Sequence, residues 1–520
     1  MLKFLRKHID FNLIKISLCF ALIHCTLFNS AVLIHKFGYV NSGYIIGILE
    51  IIKDFIYDVI TLFVIFFALS IHRVVFILGS LFLFITGALA SYYLFFFSIS
   101  LTQTMMPSIY GTNLTEVSEL ISSRLIVWLT FSVSICIYSI CHFKIQTTKI
   151  FFSKILSAVC LLITISNIIN PKYSYLKTSF PLQYLHNSYV YFFGELKEYV
   201  REDLTEKFSF TDSGDEDVIG VLIVGESARY GNFGINGYER DTTPNLSKID
   251  NLASFKAHSC ASATYLAVPC MLSRYGEKDI GLINSETSVL SVFTKLNYDT
   301  ALFGTQSVTK YFKRQIGGTF YDDVDFHIIP GSTVLILPNS RDGQLLEYLK
   351  KNISSERKKF IVLHTTGSHW NYANRYPDEF TKFKPDLMKK KTVDPSSCDR
   401  QELINSYDNS IFYTDFFISS VIEILKDRKA VVIYSSDHGE SLGENGKLSH
   451  GSEEYVKEQR EVPLMIWFSD KYKADNLQKW EAVESKKGLE ISHDYIYHTI
   501  LDCLNIESNS VDKSLSLCHK

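Results

Sequence analysis

The sequence predicts an α/β protein in which five transmembrane helices precede a domain built on a mostly parallel sheet covered by helices. Two observations support this fold class. The first third of the 520-residue chain is apolar and nearly free of charge, as membrane helices are. From residue 218 onward, short apolar runs alternate with longer helical stretches, which is typical of a sheet buried on both faces. We therefore expect a transmembrane domain at 1–170, a linker at 171–217 and an outer domain at 218–520.

The composition excludes several classes of protein. Hydrophobic residues make up 47% of the chain, which is too many for a disordered protein. The net charge is −3, so no overall basic field points to nucleic acid as a partner. Only 21% of the residues are charged, which is low for a soluble protein. A wholly cytosolic enzyme is therefore not expected.

Five apolar runs are candidates for membrane spans, since a bilayer core needs roughly 20 apolar helical residues. They are residues 11–35, 59–71, 74–97, 125–141 and 150–169. The second run is short, and only His72 and Arg73 separate it from the third. The first run alone can also be a cleaved signal peptide, but no small-residue cleavage site follows it and four more runs do. A buried helical core is the other alternative, although such dense apolar runs are rare in soluble domains.

Basic residues near the ends of the runs predict the orientation, because Lys and Arg prefer the cytoplasmic side. They precede the first run and lie between the second and third and between the fourth and fifth. These residues are Lys3, Arg6, Lys7, Arg73, Lys144, Lys149 and Lys154. The stretch 98–123 has no Lys or Arg. The N-terminus is thus predicted in the cytoplasm, and five crossings place the chain after about Asn170 outside.

The linker at 171–217 is first aromatic and then charged. This order suits a helix lying on the membrane surface with its aromatic residues at headgroup depth. An ordinary linker helix explains the same composition, and both interpretations stay open.

Polar residues follow several predicted strands of the outer domain. Strands are expected at 218–224, 300–303, 360–363, 430–434 and 463–468, and helices at 401–426 and 493–504. Ligands gather at the carboxyl ends of strands in open α/β sheets, so we expect the polar residues there to converge. They are Glu226, His369, Asp437, His438 and, shortly afterwards, His450. Carboxylates and imidazoles together suit Zn²⁺, although a single His is more often a satisfied surface or core residue.

Thr264 is the candidate nucleophile beside these ligands. It follows small residues at a point where a helix can begin, and a helix N-terminus favours phosphate. A threonine hydroxyl is a weak nucleophile until a metal stabilises its alkoxide. On local sequence alone, Thr264 is as readily a helix N-cap.

Ten cysteines divide evenly between the apolar third and the outer domain. An oxidising compartment allows disulfides in the outer domain, where Cys260–Cys270 and Cys503–Cys518 are the candidate pairs. A Cys260–Cys270 bridge would hold the loop before Thr264 rigid. Cys398 is the odd residue of this set.

Four long motifs stand out in the outer domain: GESAR at 225–229, NGYERDTTP at 236–244, the segment 259–270, and SDHGESLGENG at 436–446 with His450. They resemble those of the phosphoethanolamine transferases of Gram-negative inner membranes, which belong to the alkaline-phosphatase/sulfatase superfamily. Other segments resemble most the branch that modifies Kdo2-lipid A. They are LHTTGSHWNY at 363–372, RYP at 375–377, INSYDNS at 404–410 and FISSV at 417–421. The resemblance covers nearly the whole chain and implies a sulfatase-like periplasmic domain.

The resemblance also implies roles for individual residues. Glu226, Thr264, Asp437 and His438 would bind the first zinc, and Thr264 would be the nucleophile. His369 and His450 would face the donor phosphate or a second metal and serve as acid or base. Further contacts to the phosphoethanolamine group would come from Ser307, Lys310, Thr112 and Glu116. No sulfatase motif surrounds Thr264, which argues against hydrolysis of sulfate esters.

The predicted activity is transfer of phosphoethanolamine from phosphatidylethanolamine to lipopolysaccharide, on a Kdo inner-core sugar or lipid A, through a phosphothreonine-type intermediate. One or two Zn²⁺ are expected, the need for Ca²⁺ stays open, and the chain is expected to be a monomer in contact with membrane lipid. One alternative is a phosphoglycerol transferase of the same superfamily. The other is a non-catalytic, metal-dependent membrane sensor, which the presence of all six site residues disfavours.

Overall fold

The computed structural model of the chain describes residues 10–37, 44–97, 99–111, 114–143, 150–171, 179–193, 202–306, 333–337, 340–355, 357–387, 395, 398–452 and 454–520. The chain divides into two units. One contains Met1–Ile109 and Leu120–Glu195, and the other contains Tyr110–Glu119 and Leu196–Lys520.

The N-terminal part is helical throughout its described segments. Its helical segments are Phe11–His24, Cys25–Asn29, Ser30–Phe37, Tyr44–Leu69, Arg73–Phe97, Gln103–Met105, Met106–Gly111, Leu114–Leu120, Ser123–His142, Phe151–Ile169 and Leu182–Phe193. Four described helices are long and apolar enough to cross a membrane, and they match four of the five predicted spans. They are Phe11–Ile34, Arg73–Phe97, Ser123–His142 and Phe151–Ile169.

The remaining predicted span, 59–71, requires a correction. It forms the second half of a longer helix, Tyr44–Leu69, which does not meet the criteria that the other four helices meet. Lys53, Asp54 and Asp58 lie in this helix, and the apolar run after them is shorter than a bilayer core requires. The sequence therefore predicted five spans where the described residues supply four.

The larger unit is built on an eight-stranded mixed sheet. In chain order its strands are β1 Ile219–Gly225, β2 Leu252–His258, β3 Asp299–Gly304, β4 Thr333–Ile336, β5 Lys359–His364, β6 Ala430–Ser436, β7 Glu461–Phe468 and β8 Glu490–Ser492. Their spatial order is β8-β2-β7-β6-β1-β5-β3-β4. Only β7 pairs antiparallel with its neighbours, so the predicted, mostly parallel sheet is confirmed.

The register of the central strands sets the position of the residues that follow them. Val224 of β1 is level with His364 of β5, and Gly225 is level with Ser436 of β6. Every residue of β1, β5 and β6 is buried, as expected of parallel strands covered on both faces. The segments after these strands therefore begin at one edge of the sheet.

Helices cover the sheet, and short paired strands lie outside it. The α-helices of this part of the chain are Leu204–Lys207, Thr264–Leu272, Val289–Lys295, Leu345–Asn352, Arg400–Leu425, Lys457–Arg460, Asp470–Asp475, Leu477–Ser485 and Asp494–Cys503. Thr211–Asp212 pairs with Ile506–Glu507, and Ser441–Leu442 pairs with Leu448–Ser449. Both predicted disulfides, Cys260–Cys270 and Cys503–Cys518, are confirmed.

A buried histidine makes the stability of this unit depend on pH. His498 is 3% exposed, and its Nδ1 accepts the backbone N–H of Asp512 at 3.0 Å. Burial lowers the pKa of His498 to about 4. Between pH 6.5 and 4 the unfolded chain therefore binds a proton at this residue that the folded chain does not. The stability that His498 contributes to the folded state is thus fully present above pH 6.5 and is lost as the pH falls.

We expect acidification from pH 7.5 to 5 to remove about 2 kcal/mol through His498 alone. In His498→Asn, which keeps a side-chain acceptor without this titration, Tm should fall less over the same range. Thermal unfolding of the detergent-solubilised chain at both pH values measures the difference, since all other buried histidines are common to the two proteins. Equal losses of Tm in the two proteins would contradict the prediction.

Candidate active site

Thr264 lies at the centre of a cluster of carboxylates and imidazoles. It is the first residue of the helix Thr264–Leu272, and Ala263 occupies the N-cap position. The Thr264 hydroxyl donates to Glu226 Oε2 at 3.2 Å and lies 3.4 Å from His438 Nε2. The hydroxyl therefore points into the cluster and does not cap the helix. Of the two interpretations of Thr264, nucleophile or helix N-cap, the geometry does not fit the N-cap.

His438 is held with one nitrogen toward this cluster. Its Nδ1 lies 2.8 Å from the Gly439 carbonyl, to which only a protonated nitrogen can donate. Its Nε2 then has a free lone pair, 3.3 Å from Glu226 Oε1 and 3.4 Å from Asp437 Oδ2. The side chains of His438, Glu226 and Asp437 are fully buried.

His369 and His450 lie on another side of the cluster. The ring centroid of His450 is 4.2 Å from that of His438 and 5.6 Å from that of His369. His450 Nδ1 lies 2.7 Å from Glu440 Oε2, and the other Glu440 oxygen accepts the Tyr372 hydroxyl at 2.7 Å. Glu440 thus fixes the ring of His450 and directs its other nitrogen away from the carboxylate.

Three overlapping sets of side chains bring their ligand atoms within 4.8 Å of one another. The sets are Glu226 with Asp437 and His438, Glu226 with His369 and His450, and His438 with Glu440 and His450. The five polar residues that were predicted to converge are thus brought together, Glu440 joins them, and Thr264 contacts two of them.

The ionisable groups of this cluster shift each other's pKa values. Burial raises the pKa of Glu226, but electrostatic attraction to the imidazoles of His438, His369 and His450, together with the hydrogen bond from Gln306, lowers it overall. Burial and the neighbouring Glu226 charge raise the pKa of Asp437 well above its usual range. Asp437 Oδ2 is buried and accepts no hydrogen bond from the described residues. A cation bound between these carboxylates would satisfy that oxygen and offset their repulsion.

Comparison with known families identifies the chain. The family model described as Sulfatase matches residues 219–506, which is more than half of the chain. The chain belongs to the sulfatase family. A second model, described as Phosphoethanolamine transferase EptA/EptB, matches residues 59–180. Together they confirm the predicted resemblance to the phosphoethanolamine transferases.

Individual relatives agree with this assignment. The Kdo(2)-lipid A phosphoethanolamine 7''-transferase of Salmonella typhimurium strain LT2 is 35% identical over 60% of this chain. The match spans 56% of that relative, so the chain covers little more than half the length of the curated protein. The integral membrane protein lipooligosaccharide phosphoethanolamine transferase A (EptA) from Neisseria meningitidis superposes with a TM-score of 0.74. It covers 97% of this chain and 98% of its own at 23% identity, which establishes the fold.

A periplasmic domain has also been crystallised with zinc. The C-terminal periplasmic domain of EcEptC from Escherichia coli, in complex with Zn, matches 60% of this chain and 89% of its own. The TM-score is 0.51 and the identity is 22%, so this likeness shows the fold of the larger unit.

The sulfatase-family chain also carries a polar residue that the sequence reasoning missed. Gln306 Nε2 donates to Glu226 Oε2 at 2.6 Å and to the Thr365 carbonyl at 3.2 Å. Gln306 follows β3, a strand that was predicted. A polar residue after a predicted strand is the same pattern that indicated Glu226 and His369, so Gln306 could have been found in the same way. Glu440 was also missed, since it lies in the SDHGESLGENG motif but no role was predicted for it.

Four of the predicted substrate contacts are not placed by the structure. Thr112, Ser307 and Lys310 lie outside the described residues, as does the side chain of Glu116. Their roles remain predictions from the family resemblance.

A polar cavity of about 380 Å³ adjoins the loop that carries His369. Its lining consists of Ser340, Arg341, Asp342, Gln344, Thr366, Asn374 and Arg375. Asp342 accepts hydrogen bonds from the Thr305 hydroxyl and from the backbone N–H groups of Thr366 and Gly367. The Asp342 oxygens are thus occupied by protein donors, whereas Arg341 is exposed.

Proposed function

We propose that this chain transfers phosphoethanolamine from phosphatidylethanolamine to lipopolysaccharide at the bacterial inner membrane. The N-terminus would lie in the cytoplasm and the catalytic domain in the periplasm, which needs an odd number of crossings and therefore a fifth crossing by the helix Tyr44–Leu69. One observation supports the proposal most directly: the Thr264 hydroxyl donates to buried Glu226 at the start of a helix, beside His438. The relatives named above support the donor group and the acceptor class.

The donor set of the cluster fits a zinc ion. Glu226, Asp437 and His438 offer two carboxylates and one imidazole nitrogen, and Asp437 Oδ2 accepts no hydrogen bond among the described residues. Zinc binds such oxygen and nitrogen ligands and leaves a position open in catalytic sites. We infer that these residues and Thr264 hold one zinc, and that His369 and His450 face the phosphate or hold a second one. When bound, zinc would stabilise negative charge on oxygen.

The residues of the chain would carry out transfer in two steps. Thr264 Oγ forms a bond to the phosphorus, and the bond from phosphorus to the glyceryl oxygen breaks. The Thr264 proton leaves toward Glu226, and the diacylglycerol oxygen takes up a proton from His450 or His369. The N-terminus of the helix Thr264–Leu272 favours the phosphate charge.

The second step would return Thr264 to its starting state. An acceptor hydroxyl gives its proton to His450 or His369 and attacks the phosphorus, the bond from phosphorus to Thr264 Oγ breaks, and Thr264 Oγ takes back the proton that Glu226 held. Glu440 and the Trp370 carbonyl each hold one Nδ1–H, of His450 and His369 respectively. Each imidazole therefore presents Nε2 to the reacting groups.

We also propose that the polar cavity admits the acceptor sugar. Its side chains are all polar or charged, and Arg341 offers a guanidinium to an acidic sugar group. We expect Arg341→Ala to raise the KM for a Kdo-containing lipid A acceptor about tenfold, and to leave diacylglycerol release in the absence of acceptor within twofold. An unchanged KM for the acceptor would remove the cavity from the proposal.

Mass spectrometry tests the function as a whole. Cells with and without this protein would be compared for phosphoethanolamine on lipid A and on the core sugars. Purified protein would be given phosphatidylethanolamine or phosphatidylglycerol in separate vesicles, and the mass added to the Thr264 peptide would be read. A phosphoethanolamine adduct supports the proposal, a phosphoglycerol adduct favours the related transferase, and no adduct with either lipid favours a sensor.

A further inference from the structure

A short segment between two membrane helices belongs to the unit that contains the candidate active site. Residues Tyr110–Glu119 group with Leu196–Lys520 and not with the helices that precede and follow them in sequence. Glu119 lies near the end of the helix Leu114–Leu120, and its side chain is only 11% exposed. Hydrogen bonds from a neighbouring loop explain why this carboxylate is so deeply buried.

Glu119 accepts four hydrogen bonds from a single loop, residues 370–375. Its Oε2 accepts from Arg375 at 2.7 Å and from the backbone N–H of Asn371 at 3.1 Å. Its Oε1 accepts from the Asn374 side-chain amide at 2.6 Å. Its backbone carbonyl accepts from the Trp370 indole at 3.2 Å. One residue thus fixes both ends of this loop.

Arg375 connects Glu119 to His369. Its Nε donates to the His369 carbonyl at 2.9 Å, and its Nη2 donates to the Trp370 carbonyl at 2.6 Å. The same Trp370 carbonyl lies 2.7 Å from His369 Nδ1. The backbone and the ring of His369 are therefore both held by groups that Glu119 and Arg375 fix in place.

We propose that Glu119 is a positioning residue for His369, acting through Arg375. This proposal rests on the proposed function, in which His369 faces the reacting phosphate. An ordinary surface ion pair would contribute little. The Glu119–Arg375 pair differs because both side chains are mostly buried, at 11% and 15% exposed, and because charge-assisted bonds to a carboxylate are short and directional.

We expect loss of the Glu119–Arg375 contact to lower the turnover rate, kcat. A shift of about 1 Å in a catalytic group can reduce turnover about a hundredfold without loss of the fold. In Glu119→Ala the loop loses three of its four contacts to this residue, and we expect kcat to fall 10- to 100-fold. Glu119→Gln keeps an oxygen acceptor but loses the charge that pairs with Arg375, so its loss should be smaller.

The experiment uses the full-length chain in detergent with vesicles of phosphatidylethanolamine, and measures diacylglycerol release. We expect kcat to fall while the KM for the lipid stays within twofold and Tm stays within a few degrees. Glu239→Gln removes an exposed carboxylate of the same unit and should match the wild type. A raised KM with unchanged kcat would overturn the proposal, because Glu119 would then bind the donor itself.

Hydrogen exchange of residues 369–375 provides a measurement that does not depend on activity. In Glu119→Ala these amides should exchange faster, while those of β5 stay as slow as in the wild type. If wild-type protein releases no diacylglycerol, the proposed function fails, and faster exchange would still support the positioning role. Unchanged exchange together with unchanged kcat would overturn the role of Glu119, whatever the wild type does.

Discussion

Thr264→Ala should reduce phosphoethanolamine transfer by at least about a thousandfold and abolish the covalent adduct. Loss of an enzymatic nucleophile has effects of this size or larger, because the remaining groups cannot replace the bond that it forms. The nucleophile role of Thr264 is supported by its hydroxyl, which contacts Glu226 and His438 and does not cap the helix. Transfer from phosphatidylethanolamine vesicles and the mass of the Thr264 peptide measure the two effects.

Two further variants separate chemistry from folding. Thr264→Ser keeps a hydroxyl at the same position and should retain measurable transfer and the adduct. Thr264→Val keeps the shape of the side chain but has no hydroxyl, so it should fold with an unchanged Tm and be as inactive as Thr264→Ala. Wild-type transfer by Thr264→Val would exclude a covalent route through this residue.

Much of the fold was predictable because hydrophobic burial leaves a clear pattern. The fully buried strands β1, β5 and β6 read as continuous apolar runs, and each prediction fell within two residues of the observed bounds. Strand β2 was missed because it alternates between buried and partly exposed residues and carries polar residues on one face. Strands β4 and β8 are short and lie at the two edges of the sheet, where burial constrains the sequence least.

The membrane part shows where hydropathy alone is insufficient. The helix Tyr44–Leu69 begins well before the apolar run 59–71, through residues that include Glu50 and Lys53. Local composition therefore indicated a short span, whereas the chain forms one long helix with a charged first half. Helix formation depends on backbone hydrogen bonds and propensity, so a helix continues past the residues that are suited to a membrane.

The site was predictable where each residue directly follows a buried strand. Parallel strands end at one edge, so Glu226, His369 and Asp437 had to lie near one another once the sheet was inferred. The partners that orient them were not predictable in this way. Glu119 is distant in sequence from the loop that it contacts, and Gln306 and Glu440 act through hydrogen bonds that have no sequence periodicity.

Removal of the metal should have the second large effect. Glu226 and Asp437 are fully buried in one ligand set, and burial together with the Glu226 charge raises the pKa of Asp437. Two buried carboxylates without a cation are costly, and a ligand present at a thousand times its Kd stabilises the folded state by about 4 kcal/mol. We expect chelation to abolish transfer and to lower Tm by about 6 °C. Added zinc should restore both.

Asp437→Asn tests whether this carboxylate is responsible for the metal dependence. The variant should contain less zinc than the wild type, lose at least about a thousandfold in transfer, and show a smaller fall of Tm on chelation, because one of the two buried charges is gone. Asp415→Asn is the matched control, since Asp415 is also buried but accepts hydrogen bonds from Asn245 and Leu246. It should keep the zinc content and the full chelation response of the wild type. A metal-free wild type with unchanged Tm and activity would exclude the metal from both stability and catalysis.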